Sequence, residues 1–305
     1  MTRRSETFEQ MLLTARRRRG VALVGVCNVT PDSFSDGGNH FSYEGACRRI
    51  DELVAEGADM VDIGAESTRP GAAPVPADEQ LGRMLEVVRY AATKIGVSVD
   101  TTRPEVADAC LAAGALAVND VSCLEDARLA DVVREAGATL ILMHARGAQA
   151  KMHGFSVYPD NGYGDVLEDV ISEWSRAAER AVARGLPRGS LVMDPGFGFS
   201  KNAQQSLSLL RRTADLVSRL DVPVLVGASR KSFLRVVDAD APPLERLGAS
   251  LAAAIHAARA GASLVRVHDV RATRQAIDLF ELAEGGPAGA GEATSHRRRA
   301  PRVLS

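Results

Sequence analysis

Eight short apolar segments each end on, or just before, a polar side chain: Asn28, Asp62, Asp100, Asn119, His144, Asp194, Ser229 and Arg266. Carboxylates and amide carbonyls sheltered from water must be paired to be tolerated, so such acceptors suit a ligand rich in N–H donors. Arg266 and His268 are spaced i, i+2, which sends both side chains to one side of a strand. No Ser/His/Asp or Cys/His arrangement of nucleophile and base is recognisable. His144 is the nearest candidate for proton transfer, and it reads equally as a residue that positions its neighbours. A covalent mechanism through a paired nucleophile and base is therefore not indicated.

These residues need elements to hold them. Apolar segments at 21–28, 59–64, 97–101, 116–120, 138–144, 190–194, 223–228 and 263–267 read as strands, separated by longer amphipathic stretches. Leu81, Met84, Leu85 and Val88 fall at i, i+3, i+4, i+7; Val166, Val170, Trp174 and Ala178 keep a similar stripe. Pro104 suits the first turn of a helix, where its missing N–H is no loss. A βαβα rhythm with one polar residue per strand end predicts a single (β/α)8 TIM barrel with a parallel eight-stranded core, since only a closed barrel converges all eight ends on one mouth. A doubly wound sheet would spread them along a line. The 305 residues divide into a basic N-terminal segment at 1–20, a barrel at 21–284 and a C-terminal tail at 285–305. Both ends, with Arg16–Arg19 and Arg297–Arg299, read as solvated tails; their runs are short and lack interleaved aromatics, which argues against an RNA or lipid arm.

With 37 Lys plus Arg against 39 Asp plus Glu, no whole-molecule field favours nucleic acid or an anionic membrane. Cys27, Cys47, Cys110 and Cys123 sit in apolar stretches without ligand spacing and read as buried thiols. No apolar run approaches a membrane span and no secretory signal is visible, so the cytoplasm is expected.

Two loops are more specific: Asn28-Val29-Thr30-Pro31-Asp32-Ser33-Phe34-Ser35-Asp36-Gly37-Gly38 and Asp62-Ile63-Gly64-Ala65-Glu66-Ser67-Thr68-Arg69-Pro70-Gly71. With Ser98–Thr101, Asn119-Asp120, Leu142–His144, Asp194–Phe199, Gly227–Ser232 and Arg266–Asp269 following in order, they resemble the signature stretches of dihydropteroate synthases. The resemblance implies condensation of 6-hydroxymethyl-7,8-dihydropterin diphosphate with 4-aminobenzoate to give 7,8-dihydropteroate and diphosphate, with ionisation of the pterin diphosphate before amine attack. It implies a pterin site of Asp100, Asn119, Met143, Asp194, Phe199, Gly227 and Lys231, with Lys231, Arg266, His268 and Asp100 in the catalytic set. Diphosphate would fall to Asn28, Arg69, Arg266 and His268, with Asn28 on a Mg²⁺ ion. The 4-aminobenzoate would meet Phe34, Thr68, Pro70 and Ser229, its carboxylate also reaching the N–H groups of the helix start after Lys231. Asp62 either supports the pterin pocket or orients the second loop. A homodimer through helices of the second half is implied as well.

The chain departs from the family pattern at residues 5–19, which replace an N-terminal hairpin, and at Cys27, Ala145 and Ser200, the last commonly glycine and expected to narrow the loop beside the pterin. Two other readings are a pterin-dependent methyltransferase on the same barrel and a non-catalytic pterin-binding paralogue. The first would need neither the diphosphate set nor Ser229-Arg230-Lys231; the second is opposed by intact Asn28, Arg69, Lys231, Arg266 and His268.

Overall fold

A computed structural model describes residues 7–30, 42–66, 75–147 and 156–285. The chain opens on helix α1 (Phe8–Arg19) and then alternates strand and helix: β1 (Ala22–Asn28), α2 (Tyr43–Glu56), β2 (Met60–Gly64), α3 (Ala77–Ala92), β3 (Gly96–Asp100), α4 (Pro104–Ala112), β4 (Ala117–Asp120), α5 (Arg128–Glu135), β5 (Thr139–Met143), α6 (Val166–Ala183) and β6 (Leu191–Asp194). Two helices, α7 (Ala203–Arg211) and α8 (Thr213–Arg219), precede β7 (Leu225–Val226); α9 (Leu247–Arg259), β8 (Leu264–Val267) and α10 (Val270–Ala283) complete the described chain. The strands form one sheet in the order β6-β5-β4-β3-β2-β1-β8-β7, parallel throughout. A single bridge between Met193 and Val224 joins its two edges, so the sheet curls into the expected barrel. Strand seven is the shortest because Pro223 offers no N–H to a ladder.

The expected helix stripes are partly redrawn. Val166, Val170, Trp174 and Ala178 are all buried, and Pro104 is the first residue of α4. On α3 the fully covered face is Gln80, Met84, Val87, Val88 and Ala91, with Leu81 and Leu85 only partly buried.

Alternation along the strands sorts the two faces. Leu23, Val61, Val97, Val99, Val118, Leu140, Leu142, Met193 and Val265 pack outward with the helices. Ala22, Val24, Met60, Ala117, Ile141, Val192, Leu225 and Leu264 form a separate apolar layer inside the barrel. That inner layer is closed from below by Phe8, Met11, Leu12 and Ala15 of α1, which corrects the reading of a solvated basic tail for residues 7–20; residues 1–6 lie outside the described residues. The helix has reciprocal caps between Thr7 and Gln10 and ends at Gly20 in the left-handed region at φ 77°. The arginine run has a structural use too: Arg18 and Arg19 both pair with Asp59, and Arg19, nearly fully buried, reaches Asp278 at 3.3 Å. Residues 286–305, holding most of the C-terminal tail, lie outside the described residues. Cys27, Cys47 and Cys110 are buried and Cys123 half-buried; all four are free thiols.

If α1 is a floor and not a tail, shaving its buried face must cost stability without touching the mouth. Met11→Ala is expected to remove about 2 kcal/mol or more, the lower end for a buried large-to-small change. Urea unfolding should show an earlier midpoint while ligand affinity stays unchanged; an unshifted midpoint would contradict this packing.

Candidate active site

The inward positions above the apolar layer are polar, and the register sets them side by side: Gly64 beside Asp100, Asp100 beside Asn119, and Met143 beside Asp194. Asp62 lies at the centre with no exposed surface. It accepts hydrogen bonds from the Ser98 hydroxyl, from Asn119 Nδ2 at 3.1 Å and from Arg266 Nε at 2.6 Å. A carboxylate that only accepts fixes which way the Asn119 amide faces. With Nδ2 committed to Asp62, Asn119 presents Oδ1, which is buried and has no hydrogen-bond partner among the described residues. The bonds of Asp62 thus run to the neighbouring strand ends, Ser98, Asn119 and Arg266.

Arg266 reaches Asp100 as well, with Nη2 3.3 Å from Oδ2. Burial pushes the Asp100 carboxyl up to about 7; the adjacent Asp62 raises it further, and Arg266 opposes. Burial also raises Asp194, whose Oδ1 accepts from Gly196 N at 2.8 Å, while Lys231 works to keep it charged. Lys231 itself is drawn down to about 8 by burial, against the pull of Asp194. Its ammonium lies 4.7 Å from the centroid of the Phe199 ring. Phe199 forms a small apolar cluster with Met143 and Val121. Val121 was not among the expected residues, though its place two positions after Asn119 would have flagged it. Gly227 faces the gap between Asp194 and Arg266, where a Cβ would stand 3.7 Å from Asp194 Oδ2 and 3.9 Å from Arg266 Cβ, so any longer side chain would occupy the space between them.

Arg230, at φ 61°, turns the chain between Ser229 and Lys231 and is held by Asp269 at 3.0 and 2.5 Å. Ser229 Oγ accepts from His268 N at 3.2 Å and lies 3.0 Å from His268 Nδ1. When the Ser229 hydroxyl donates to Nδ1, the ring proton of neutral His268 lies on Nε2. Burial, with Arg266 and Arg230 next, pushes His268 down to about 3, so it is a neutral donor. Ser229, expected to meet 4-aminobenzoate, has its hydroxyl beside the His268 ring. The adjacent hydroxyl at the start of the following 3-10 turn (Ser232–Val236) is Ser232, 2.8 Å from Ser156 Oγ.

Asn28 is exposed at the end of β1. Phe34, Thr68, Arg69 and Pro70 lie outside the described residues. What flanks the second loop is firm: buried Gln80 donates to Glu66 Oε2 at 2.8 Å and to Val75 O at 3.0 Å, and accepts from Thr101 Oγ1 at 3.1 Å. Sequence offered no cue for this, because Gln80 hides within an amphipathic helix.

His144 does not join the mouth. Met143 points inward, so the next residue points out, and its ring lies between Lys201 Nζ at 2.9 Å and Glu173 Oε2 at 3.0 Å. That position favours the positioning role over proton transfer to a bound ligand. Ser200 keeps a left-handed backbone at φ 49°, and its hydroxyl is taken up by Arg146 N at 3.1 Å and Arg146 O at 2.8 Å. It ties two loops together, whereas the sequence suggested that it would crowd the pocket.

The family model for pterin binding enzymes matches residues 24–268, from the first strand to His268. A dihydropteroate synthase of Mycobacterium leprae is 44% identical over 266 residues, covering 85% of this chain and 92% of that protein. Among solved structures, the Xanthomonas albilineans dihydropteroate synthase with 4-aminobenzoic acid superposes with TM-score 0.80 at 38% identity, covering 88% of this chain and 94% of that one. The same enzyme in complex with 7,8-dihydropteroate gives 0.76 at 35% identity, covering 88% and 95%. With its barrel, its ring of acceptors and this likeness over most of its length, the chain belongs to the dihydropteroate synthases within the family of pterin binding enzymes.

Proposed function

We propose that this chain condenses 6-hydroxymethyl-7,8-dihydropterin diphosphate with 4-aminobenzoate in folate biosynthesis, by ionisation before amine attack. The observation that carries the reading is Asn119 Oδ1, a buried acceptor without a partner among the described residues, on the strand next to Asp100. A buried acceptor left unmade costs about 1–3 kcal/mol, a cost that a ligand with N–H donors removes. The pterin's amino-pyrimidine edge is such a ligand. Asp100, Asn119 and Asp194 would accept from it, Lys231 would donate to its carbonyl and ring nitrogen, and Met143, Phe199 and Val121 would cover its face. The C–O bond to diphosphate breaks toward Arg266 and the neutral His268, which donates from Nε2. The amine nitrogen then bonds to the exocyclic methylene and sheds a proton.

Mg²⁺ fits this arrangement through the Asn28 side-chain carbonyl oxygen, exposed at the end of β1. The described residues hold no cluster of His, Cys, Asp or Glu for a metal, and Mg²⁺ characteristically takes few protein ligands and several phosphate oxygens and waters. When bound, it would supply charge neutralisation of the leaving group. For the 4-aminobenzoate carboxylate, Ser229 and Ser232 are the hydroxyls that flank Lys231, the first beside His268 and the second beside Ser156; Phe34, Thr68 and Pro70 complete the assignment. A homodimer is favoured by Val237, Leu244 and Leu247, exposed apolar side chains in the second half. No described helix is long and apolar enough to cross a membrane, and four free thiols suit the cytoplasm we assign.

Purified protein given both substrates and Mg²⁺ should form 7,8-dihydropteroate and release diphosphate; failure to turn over would overturn the assignment. Ionisation before attack adds that slow diphosphate release occurs with Mg²⁺ and the pterin substrate alone. Release only after amine is added would show concerted displacement instead.

The acid and base limits follow from two shifted groups. Asp100 must be a carboxylate to accept, and it becomes one as pH rises through about 7; Lys231 must be an ammonium to donate, and it ceases to be one as pH rises through about 8. Affinity for a dihydropterin analogue should therefore rise and then fall, peaking between these values in calorimetric titrations. A flat profile would show that neither group meets the ligand.

Asp62→Asn gives Asn119 a donor to face and lets its amide turn. It is expected to weaken the same analogue by about 1.5–3 kcal/mol, the range for a charge-assisted hydrogen bond. Unchanged affinity by calorimetry would mean that Asp62 does not orient Asn119.

A further inference from the structure

Lys201 has no exposed surface, yet its ammonium has no carboxylate partner among the described residues. Nζ donates to Gly196 O and Phe199 O, both at 3.1 Å, and to His144 Nδ1 at 2.9 Å, with His144 O at a longer 3.5 Å. Three donors meet three close acceptors, two of them in the segment that the lysine itself terminates. His144, accepting at Nδ1, carries its proton on Nε2 and gives it to Glu173 Oε2 at 3.0 Å. Glu173 is braced in turn by Arg146, whose Nε lies 2.8 Å away and whose guanidinium stacks 3.7 Å over the Tyr163 ring. A line of hydrogen bonds thus runs from the interior of the β6–α7 loop to the surface of α6.

The loop needs such a fastener. Gly196, Gly198 and Ser200 take φ of 67°, 76° and 49°, so within five residues the chain enters the left-handed region three times. It presses so close to β5 that a Cβ on Gly196 would stand 2.1 Å from His144 O. Two walls of the site hang on this loop, Asp194 at its start and Phe199 two positions before the lysine. A hydrophobic side chain of equal length would fill the space without desolvating an ammonium; burial draws Lys201 down to about 7, and Asp194 works to retain its proton.

We propose that Lys201 is a positioning residue for the pterin half of the site: by closing residues 196–201 on themselves against His144, it fixes the Phe199 ring and the Asp194 carboxylate relative to one another. This deepens, and rests on, the pterin pocket proposed for the same strand ends. Lys201 bonds to its own loop and to His144. It acts through the carbonyls of Gly196 and Phe199.

The test separates the two readings. Wild-type protein titrated calorimetrically with a dihydropterin analogue must bind it; if it does not, the pocket assignment falls and Lys201 loses its object. With wild-type binding in hand, Lys201→Met, which keeps the length and removes the donors, should bind the analogue at least about tenfold more weakly. Its affinity for diphosphate with Mg²⁺ should stay within about twofold, since that ligand would meet other strand ends. The emission of Trp174, buried in α6 beside Glu173 and donating to Leu142 O at 2.8 Å, reports whether the surrounding core is intact. Wild-type pterin affinity in Lys201→Met, or equal losses for pterin and diphosphate, overturns the proposal. Should that variant fail to fold, Glu173→Ala carries the test from the surface: it leaves the lysine but frees His144, and about threefold weaker pterin binding is expected. No change in that variant would overturn the proposal as well.

Discussion

Asp62 holds a carboxylate at the barrel axis where water does not reach, and the mouth is arranged around that constraint. A buried carboxylate needs cation and donors on its oxygens, or it costs several kcal/mol. Arg266 supplies the cation from β8, across β1 from the strand that carries Asp62. Once there, the guanidinium also reaches Asp100, so one cation serves two acids and neither is fully compensated. The surplus acceptor capacity is what a donor-rich ligand meets. Ser98 and Asn119 complete the Asp62 shell, and the Asn119 amide is oriented as a by-product.

Such a polar layer is sustainable only above a dry and rigid one. The eight inward side chains of the lower layer are apolar, and α1 seals them from solvent with four more. Barrel interiors are packed cores and not pores, so the sites of chemistry and of stability separate along the axis. The arginines of α1 show the same logic in miniature: Asp59, which also accepts from Leu23 N at 2.8 Å, anchors the floor helix to the start of the barrel.

Strand ends and motifs were legible because they are local: an apolar run closed by one polar residue announces itself. The floor helix was legible too, since Phe8, Met11, Leu12 and Ala15 fall at i, i+3, i+4, i+7, but four consecutive arginines drew the reading toward a solvated tail. His144 could have been placed by alternation alone, because Met143 and His144 cannot both face the axis. Other features were beyond reach. Nothing near Ser229 says that His268, 39 positions away, will claim its hydroxyl, and nothing near Lys201 names His144, 57 positions earlier. Pairings of that separation are set by how helices space the strands, a property of the whole barrel. The brevity of the seventh strand lies between these cases, since Pro223 marks it plainly but only the closed sheet shows its consequence.

That consequence concerns the seam. Seven of the eight strand junctions are continuous ladders, whereas β6 and the start of β7 share one bridge, Met193 to Val224. Asp194 stands on one side of this seam and Lys231 on the other, directly above it in the chain's progress. A molecule that engages both residues spans the weakest junction of the cylinder and acts as a stitch. Part of its binding free energy then appears as cohesion of the barrel, and the occupied protein resists opening along a line that the empty one guards with a single pair of residues.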